Sequence, residues 1–461
     1  MATAIAARPA RLRAVDPDSE RAEVHIFRPF FLAGILTVLT AGCLLGAVAL
    51  LGIGLRGTFT ASAWAPYIRA HANSQLYGWV GFFVIGFALQ HHPPRTERAA
   101  LFHRLGYASL ALLSLAIALR FLAEPMLALR AAAGDGRNAW LTAGAASAAM
   151  QTLAVLLFVA NIGLTRHRTG LPMPWQTRFV FAALGWWLVA AAAEPVVFLA
   201  SHHADPTARV AFVAEWFVPY REAQFLGFVP MMIFGVALSR LSSDFGFPPA
   251  RRALAEPGFL LWNAALALRM VGWALYYRSG LNDGTGWLYH GAGMLLAVAA
   301  ALLVASARVS AAPAAPGPEH RFVRAAFGWL LFAGGMLLWE PLHLALTGAT
   351  FSHAYTGAIR HAVTVGFISQ MILGVALHTV PRLCGRESAA AGTPPLALWA
   401  AFWLLNVGNA LRVGLETATD YTGRAFLPMG FTGFLELAGL GIWAFVLVRA
   451  LLAAPSGPER R

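Results

Sequence analysis

Two histidines carry the strongest chemical suggestion in this chain. His71 stands in Arg69-Ala70-His71-Ala72-Asn73-Ser74-Gln75 and His361 in Arg360-His361-Ala362-Val363-Thr364, each at the start of a long apolar stretch. The stretches that follow align on a glycine pair, Gly78 with Gly86 and Gly366 with Gly374, which puts the two histidines two positions apart in a shared register. A helix rises roughly 1.5 Å per residue, so their depths differ by about 3 Å. Such a pair could supply both axial ligands of one haem iron, since neutral imidazole is a good axial ligand and a flat macrocycle can bury between helices. Arg120, Arg269, Arg412 and Arg360 lie near the same edge and are the candidates to pair with its propionates, although any one of them could simply snorkel to the interface. His378 follows His361 by 17 residues, about 25 Å deeper along the same helix, and belongs to a separate inner metal site or to none.

The elements that would position these groups are membrane spans. With 58% of the 461 residues hydrophobic and only 12% charged, the chain is built for a bilayer rather than for water. Apolar runs long enough to cross the hydrocarbon recur at 29–54, 71–91, 103–127, 139–164, 177–201, 220–241, 257–278, 284–307, 322–345, 358–380, 394–415 and 425–450. The expectation is an all-α polytopic membrane protein of about twelve spans. Every basic residue is arginine, and most fall in the segments that share a side with the N-terminus, which favours cytoplasmic termini. The net charge of +13 then reports topology and contact with anionic lipid, and calls for no nucleic acid. Cys43 and Cys384 offer no disulfide framework.

The spans repeat. Gln75-Leu76-Tyr77-Gly78 to Leu89 aligns with Gln224-Phe225-Leu226-Gly227 to Leu238 and with Val363-Thr364-Val365-Gly366 to Leu377. One span later each copy has a Leu-Arg pair, at Arg120, Arg269 and Arg412, and one span earlier each has arginine and aromatics, at Arg28-Pro29-Phe30, Arg178-Phe179 and Arg321-Phe322. Three four-helix units are expected at 29–170, 171–310 and 311–455, between tails at 1–28 and 456–461. Four helices per unit make the copies parallel, related by a pseudo-three-fold axis along the membrane normal, unlike inverted transporter repeats. This arrangement resembles subunit I of the haem-copper oxidases, in which metal ligands project from the second helix of each unit. By themselves, the glycine pairs imply only close helix packing.

Phe27-Arg28-Pro29-Phe30-Phe31-Leu32, the stretch from His71 to Gly78 and the stretch from Arg360 to Gly366 resemble the NnrS family of bacterial membrane proteins. That resemblance implies a haem- and copper-containing inner-membrane protein that protects against nitric oxide, with His71 and His361 as metal ligands, non-covalent haem, a small gas as partner, and copper as a second metal. The family's first motif commonly reads His-x-His, and here Asn73 replaces the second imidazole. The sixth span offers Glu222 where a copper-binding histidine could stand, and no histidine lies between Pro257 and Arg278, so an oxidase-type dinuclear centre is not expected.

Other polar groups have plainer explanations. Glu340 and His343 share a helical face beside Pro341, where hydrogen bonding at a kink accounts for them. A phosphate-binding loop, a dinucleotide fingerprint, a zinc-protease pair and a CxxCH haem attachment are all missing from the sequence, which removes ATP-driven pumps, nicotinamide enzymes and c-type cytochromes. Two functions remain: a haem protein that binds, processes or protects against nitric oxide or a related gas, and a cofactor-free permease that uses intramembrane Glu222 and His361.

Overall fold

The computed structural model describes residues 25–59, 63–92, 99–133, 137–167, 173–386 and 395–452, and the two tails expected at the termini lie almost wholly outside them. Among these residues all regular structure is helical. The spans are Phe27–Arg56, 65–91, Ala99–Ala133, Arg137–His167, Thr177–Ser201, Pro206–Ser243, Arg252–Arg278, Asp283–Ala307, Glu319–Thr347, His353–Leu383, Pro395–Ala418 and Phe426–Leu452. Eleven are long and apolar enough to cross a membrane, so the chain is a multi-pass membrane protein. The remaining one, 65–91, is continuous helix whose first half is polar, because it carries Arg69, His71, Asn73, Ser74 and Gln75.

Burial follows the repeat. The sixth and tenth spans, which are second helices of their units, are the most enclosed, 78% and 67% of their apolar windows being buried, whereas the third and fifth present two thirds of theirs outward. Second helices therefore line the middle of the bundle, and the glycine pairs explain how. A Cβ on Gly86, Gly235 or Gly374 would sit 2.7, 3.2 and 3.2 Å from the Cβ of Phe30, Phe179 and Phe322 respectively. One on Gly227 or Gly366 would strike Trp186 or Trp329, and one on Gly78 would strike Thr37. In each unit the second helix thus lies directly against the first at two levels, a contact that only glycine permits. Trp186 and Trp329 in turn donate their indole N–H to Asn263 and Asn406, at 2.8 and 2.9 Å, on the third helix of their units.

Each second helix also departs from α geometry at one place. Wider π turns occupy Ser74–Val80, Ala223–Phe228 and Ala362–Ser369, immediately after Asn73, Glu222 and His361, which share one register position. A fourth occupies Val38–Gly42 in the first span. A π turn inserts a residue and rotates what precedes it, and it leaves backbone carbonyls that a membrane interior requires to be satisfied locally. Side chains do some of this: Thr364 Oγ1 donates to the Arg360 carbonyl at 2.8 Å and Ser369 Oγ to that of Thr364 at 3.0 Å.

Gly86→Ala is expected to force the Phe30 contact apart and cost about 1–3 kcal/mol, as overpacking does. Gly163→Ala, into open space, is expected to be neutral or stabilising by up to about 1 kcal/mol. Thermal unfolding in detergent measures both, and equal midpoints would contradict the packing argument.

Candidate functional site

In each unit the arginine on the third helix is buried, at 2%, 2% and 5% exposure for Arg120, Arg269 and Arg412. An isolated guanidinium in that setting is very costly, so its partners are informative. Arg120 pairs with Glu124 at 2.9 Å and Glu194 at 3.1 Å, and its guanidinium lies over Phe198. Glu124 also takes Arg69 at 2.9 Å and His202 at 3.0 Å, while Asn73, joined to Gln151 by two hydrogen bonds, reaches Glu194 at 3.4 Å. Arg269 pairs with Glu222 at 2.8 Å and Glu340 at 3.2 Å, receives the Tyr289 hydroxyl at 2.6 Å as acceptor, and stacks on that ring.

These two clusters have one plan. The arginine of a unit meets a carboxylate near its own second or third helix and a second carboxylate, Glu194 or Glu340, on the first helix of the next unit. Taking Phe30, Phe179 and Phe322 as the common register, the positions of Glu194 and Glu340 fall in the first span on Leu45 and Val48. The third cluster, where the last unit meets the first, therefore lacks its second carboxylate. Arg412 Nη2 holds Glu416 at 2.9 Å, but its Nε and Nη1 are buried without a hydrogen-bond partner. Glu416 Oε2, Glu436 Oε1 and both side-chain atoms of Asn409 are equally unpartnered. Buried polar atoms are rarely left so, and several together mark a place built to receive something.

His361 faces this open cluster through Glu416, and His71 stands against Gly42 and Gly46 of the first span. His71 Nδ1 lies 2.8 Å from the carbonyl of Gly42, the residue that ends the π turn of the first span. His361 Nδ1 lies 3.0 Å from the carbonyl of Gly357 and 3.6 Å from Glu416 Oε2. A carbonyl can only accept, so each Nδ1 carries the proton and each Nε2 presents a lone pair. Among the described residues neither Nε2 has a hydrogen-bond partner. This is the posture of an axial or metal ligand held by its second nitrogen. The first span makes room for it: a Cβ on Gly46 would come within 2.5 Å of His71 Cε1. His361 keeps 27% of its side-chain surface accessible.

The arginines named from the sequence divide accordingly. Arg120 and Arg269 are committed to carboxylates. Arg412 retains free donors, and the Arg360 guanidinium makes no ion pair or hydrogen bond among the described residues, its buried Nε being unpartnered. Arg221, beside Arg360 in the repeat register, donates from Nη1 to Gln224 at 2.8 Å and leaves Nε free. Glu222, the permease candidate, is locked by Arg269. His378 is placed apart, stacked on Phe245 at 4.0 Å with Nδ1 3.3 Å from Glu319, and its buried Nε2 has no hydrogen bond. His343 binds Asp420 at 2.8 Å rather than joining Glu340. Among the described residues no three His, Cys, Asp or Glu side chains cluster closely enough to hold a metal ion.

Sequence reasoning missed Glu416, Glu436 and Asn409. One signal was available for the first: Glu416 follows Arg412 by the same four residues as Glu124 follows Arg120. Glu436, on the twelfth span, has no counterpart in spacing that would have drawn attention to it.

The sequence matches the family model described as NnrS protein over residues 25–454. No curated protein matches it significantly. In structure it is similar to a haem-copper terminal oxidase solved as a dimer by cryo-electron microscopy, with a TM-score of 0.63 and 12% sequence identity, over 94% of this chain and 84% of that one. At that identity the likeness speaks for the fold.

Arg269→Leu, which strands Glu222 and Glu340, is expected to destabilise by about 3–5 kcal/mol. In protein prepared without haem, His71→Ala and His361→Ala each lose one hydrogen bond, about 1 kcal/mol. Thermal unfolding of the three purified variants should rank them in that order, and a His variant as unstable as Arg269→Leu would make the imidazoles structural.

Proposed function

The chain belongs to the NnrS family, and we propose that it binds one haem between His71 and His361 and through it binds or processes nitric oxide or a related small gas in the bacterial inner membrane. The observation that supports this reading is the pair of Nδ1-anchored imidazoles, with free Nε2 lone pairs, in the one arginine cluster left open. The donor set fits the group: two neutral nitrogens for a soft transition metal, and Arg360, Arg412 and Arg221 with unused N–H donors for its carboxylates. When bound, haem supplies one-electron exchange and a site for a diatomic ligand.

The residues divide the work. His71 is fixed by the carbonyl of a different helix and by contact with Gly46, so it holds its place. His361 is anchored only to the preceding turn of its own helix, at Gly357, keeps 27% of its side-chain surface accessible, and is the one to exchange with an incoming gas. Glu416 stands between Arg412 and His361, 3.6 Å from that Nδ1, while the Gly357 carbonyl holds its proton. Arg120 and Arg269 hold the bundle closed elsewhere. Among the described residues no third His, Cys, Asp or Glu side chain joins the pair, and haem is the group this reading places there.

Protein purified in mild detergent is expected to contain about one haem per chain by extraction assay, with a dithionite-reduced spectrum that shifts when nitric oxide is added. His71→Ala is expected to lose the haem, and His361→Ala to lose it or retain it with faster gas binding. A wild-type protein that folds, as judged by its thermal midpoint, yet carries no haem when expressed with haem supply would overturn the proposal.

A further inference from the structure

Spans nine and eleven, Glu319–Thr347 and Pro395–Ala418, do not close on one another. Between them runs a cleft of about 840 Å³ that opens between the exposed side chains of Phe332 and Trp339. It extends from Ala325 to His343, about 27 Å along the ninth span and so nearly the full hydrocarbon depth. Three glycines line it, Gly328, Gly335 and Gly414, and a Cβ on any of them would meet nothing within 4 Å. Unlike the glycines of the second helices, these have no packing reason, and glycine weakens a helix.

The second unit shows what the third has changed. With Trp186 and Asn263 matched to Trp329 and Asn406, the positions of Gly335, Gly414 and His343 carry Ala192, Val271 and Ala200. Gly328 is matched by Gly185, likewise beside open space, so the third unit differs at two of the three glycines and has one polar end. There His343 Nε2 donates to Asp420 at 2.8 Å, which also accepts from Ser352 at 2.5 Å. That leaves His343 Nδ1 as an acceptor for the Tyr421 hydroxyl at 3.1 Å, with Tyr355 stacked on the imidazole at 4.1 Å. The Tyr421 oxygen, its proton committed inward, faces the cleft as an acceptor, beside aromatic planes.

An occupant must be long and apolar, flat and hydroxylated at one end, and without charge, since no arginine lines the cleft to meet a phosphate. We propose that the cleft binds a prenylated quinol, with a ring hydroxyl donating to Tyr421 and the prenyl chain lying along Phe332 and Trp339. The eleventh span joins this site to the imidazole pair: Val413, Gly414 and Thr417 face the cleft, while Arg412 and Glu416 face His361. A lipid-soluble carrier of electrons would thus sit one helix, about 10 Å, from the proposed haem. Binding itself does not require haem, so its failure is separable from failure of that reading.

The test uses the full chain in quinone-free phosphatidylcholine nanodiscs, titrated anaerobically with decylubiquinol while tryptophan fluorescence is followed. Saturable quenching is expected, abolished in Gly335→Leu/Gly414→Leu and shifted about tenfold to higher concentration in Tyr421→Phe. Hexadecanol, which has the chain without the ring, is expected not to compete. The leucines point into open space, and Tyr421→Phe tests the site even if the double variant fails to fold. The proposal is overturned if quenching is the same in all variants, if hexadecanol competes equally and the cleft takes any acyl chain, or if filling it turns a dimer into a monomer, which would make it a contact between copies.

Discussion

A buried arginine in a membrane must have its countercharge brought to it, because the surroundings supply none. This protein meets that demand three times, once per four-helix unit, and the way it does so holds the units together. Glu194 and Glu340 come from the first helix of the following unit, so the ion pairs of Arg120 and Arg269 are also clasps between units. Burial of a fixed charge without its partner costs several kcal/mol in such a setting. The two complete clusters leave only Arg120 Nη1, Glu194 Oε2 and Glu222 Oε2 without a hydrogen bond, and the third, which leaves more, stands out against them.

The exception lies where the third unit meets the first. Leu45 and Val48 take the register positions of the missing carboxylate, and Gly42 and Gly46 remove further bulk. What results is a corner that holds an incompletely paired Arg412, two carboxylates with an oxygen lacking a hydrogen bond, and two imidazoles whose Nδ1 protons are already spoken for. Symmetry breaking of this kind turns a structural motif into a candidate site: the same scaffold that locks two corners leaves the third in need of a ligand that brings negative charge to the arginines and an electron-poor metal to the histidines.

Much of this architecture was legible in the residues. Hydropathy located all twelve spans to within a few residues at most ends, although the sixth and tenth begin earlier, at Pro206 and His353, because the helices run on past the apolar stretches, the sixth through exposed and half-buried residues 206–217. The glycine pairs and Leu-Arg pairs revealed the repeat because packing contacts recur at fixed spacing. The π turns were not legible, since nothing in residue type distinguishes Ser74–Val80 from ordinary helix. Nor was the division among the arginines, which depends on carboxylates 47 to 74 residues away, Arg269 on Glu222 and Glu340 and Arg120 on Glu194. Matched depth suggested His71 and His361 as a pair, but only the structure shows the Gly42 and Gly357 carbonyls that hold their Nδ1 atoms.

The most direct test of the central claim, that both imidazoles serve one iron, is electron paramagnetic resonance of the air-oxidised protein. The expected result is a low-spin ferric signal of the bis-imidazole type that becomes high-spin, or vanishes with the haem, in His361→Ala. A wild-type signal that is high-spin, or a low-spin signal unchanged in that variant, would contradict the account.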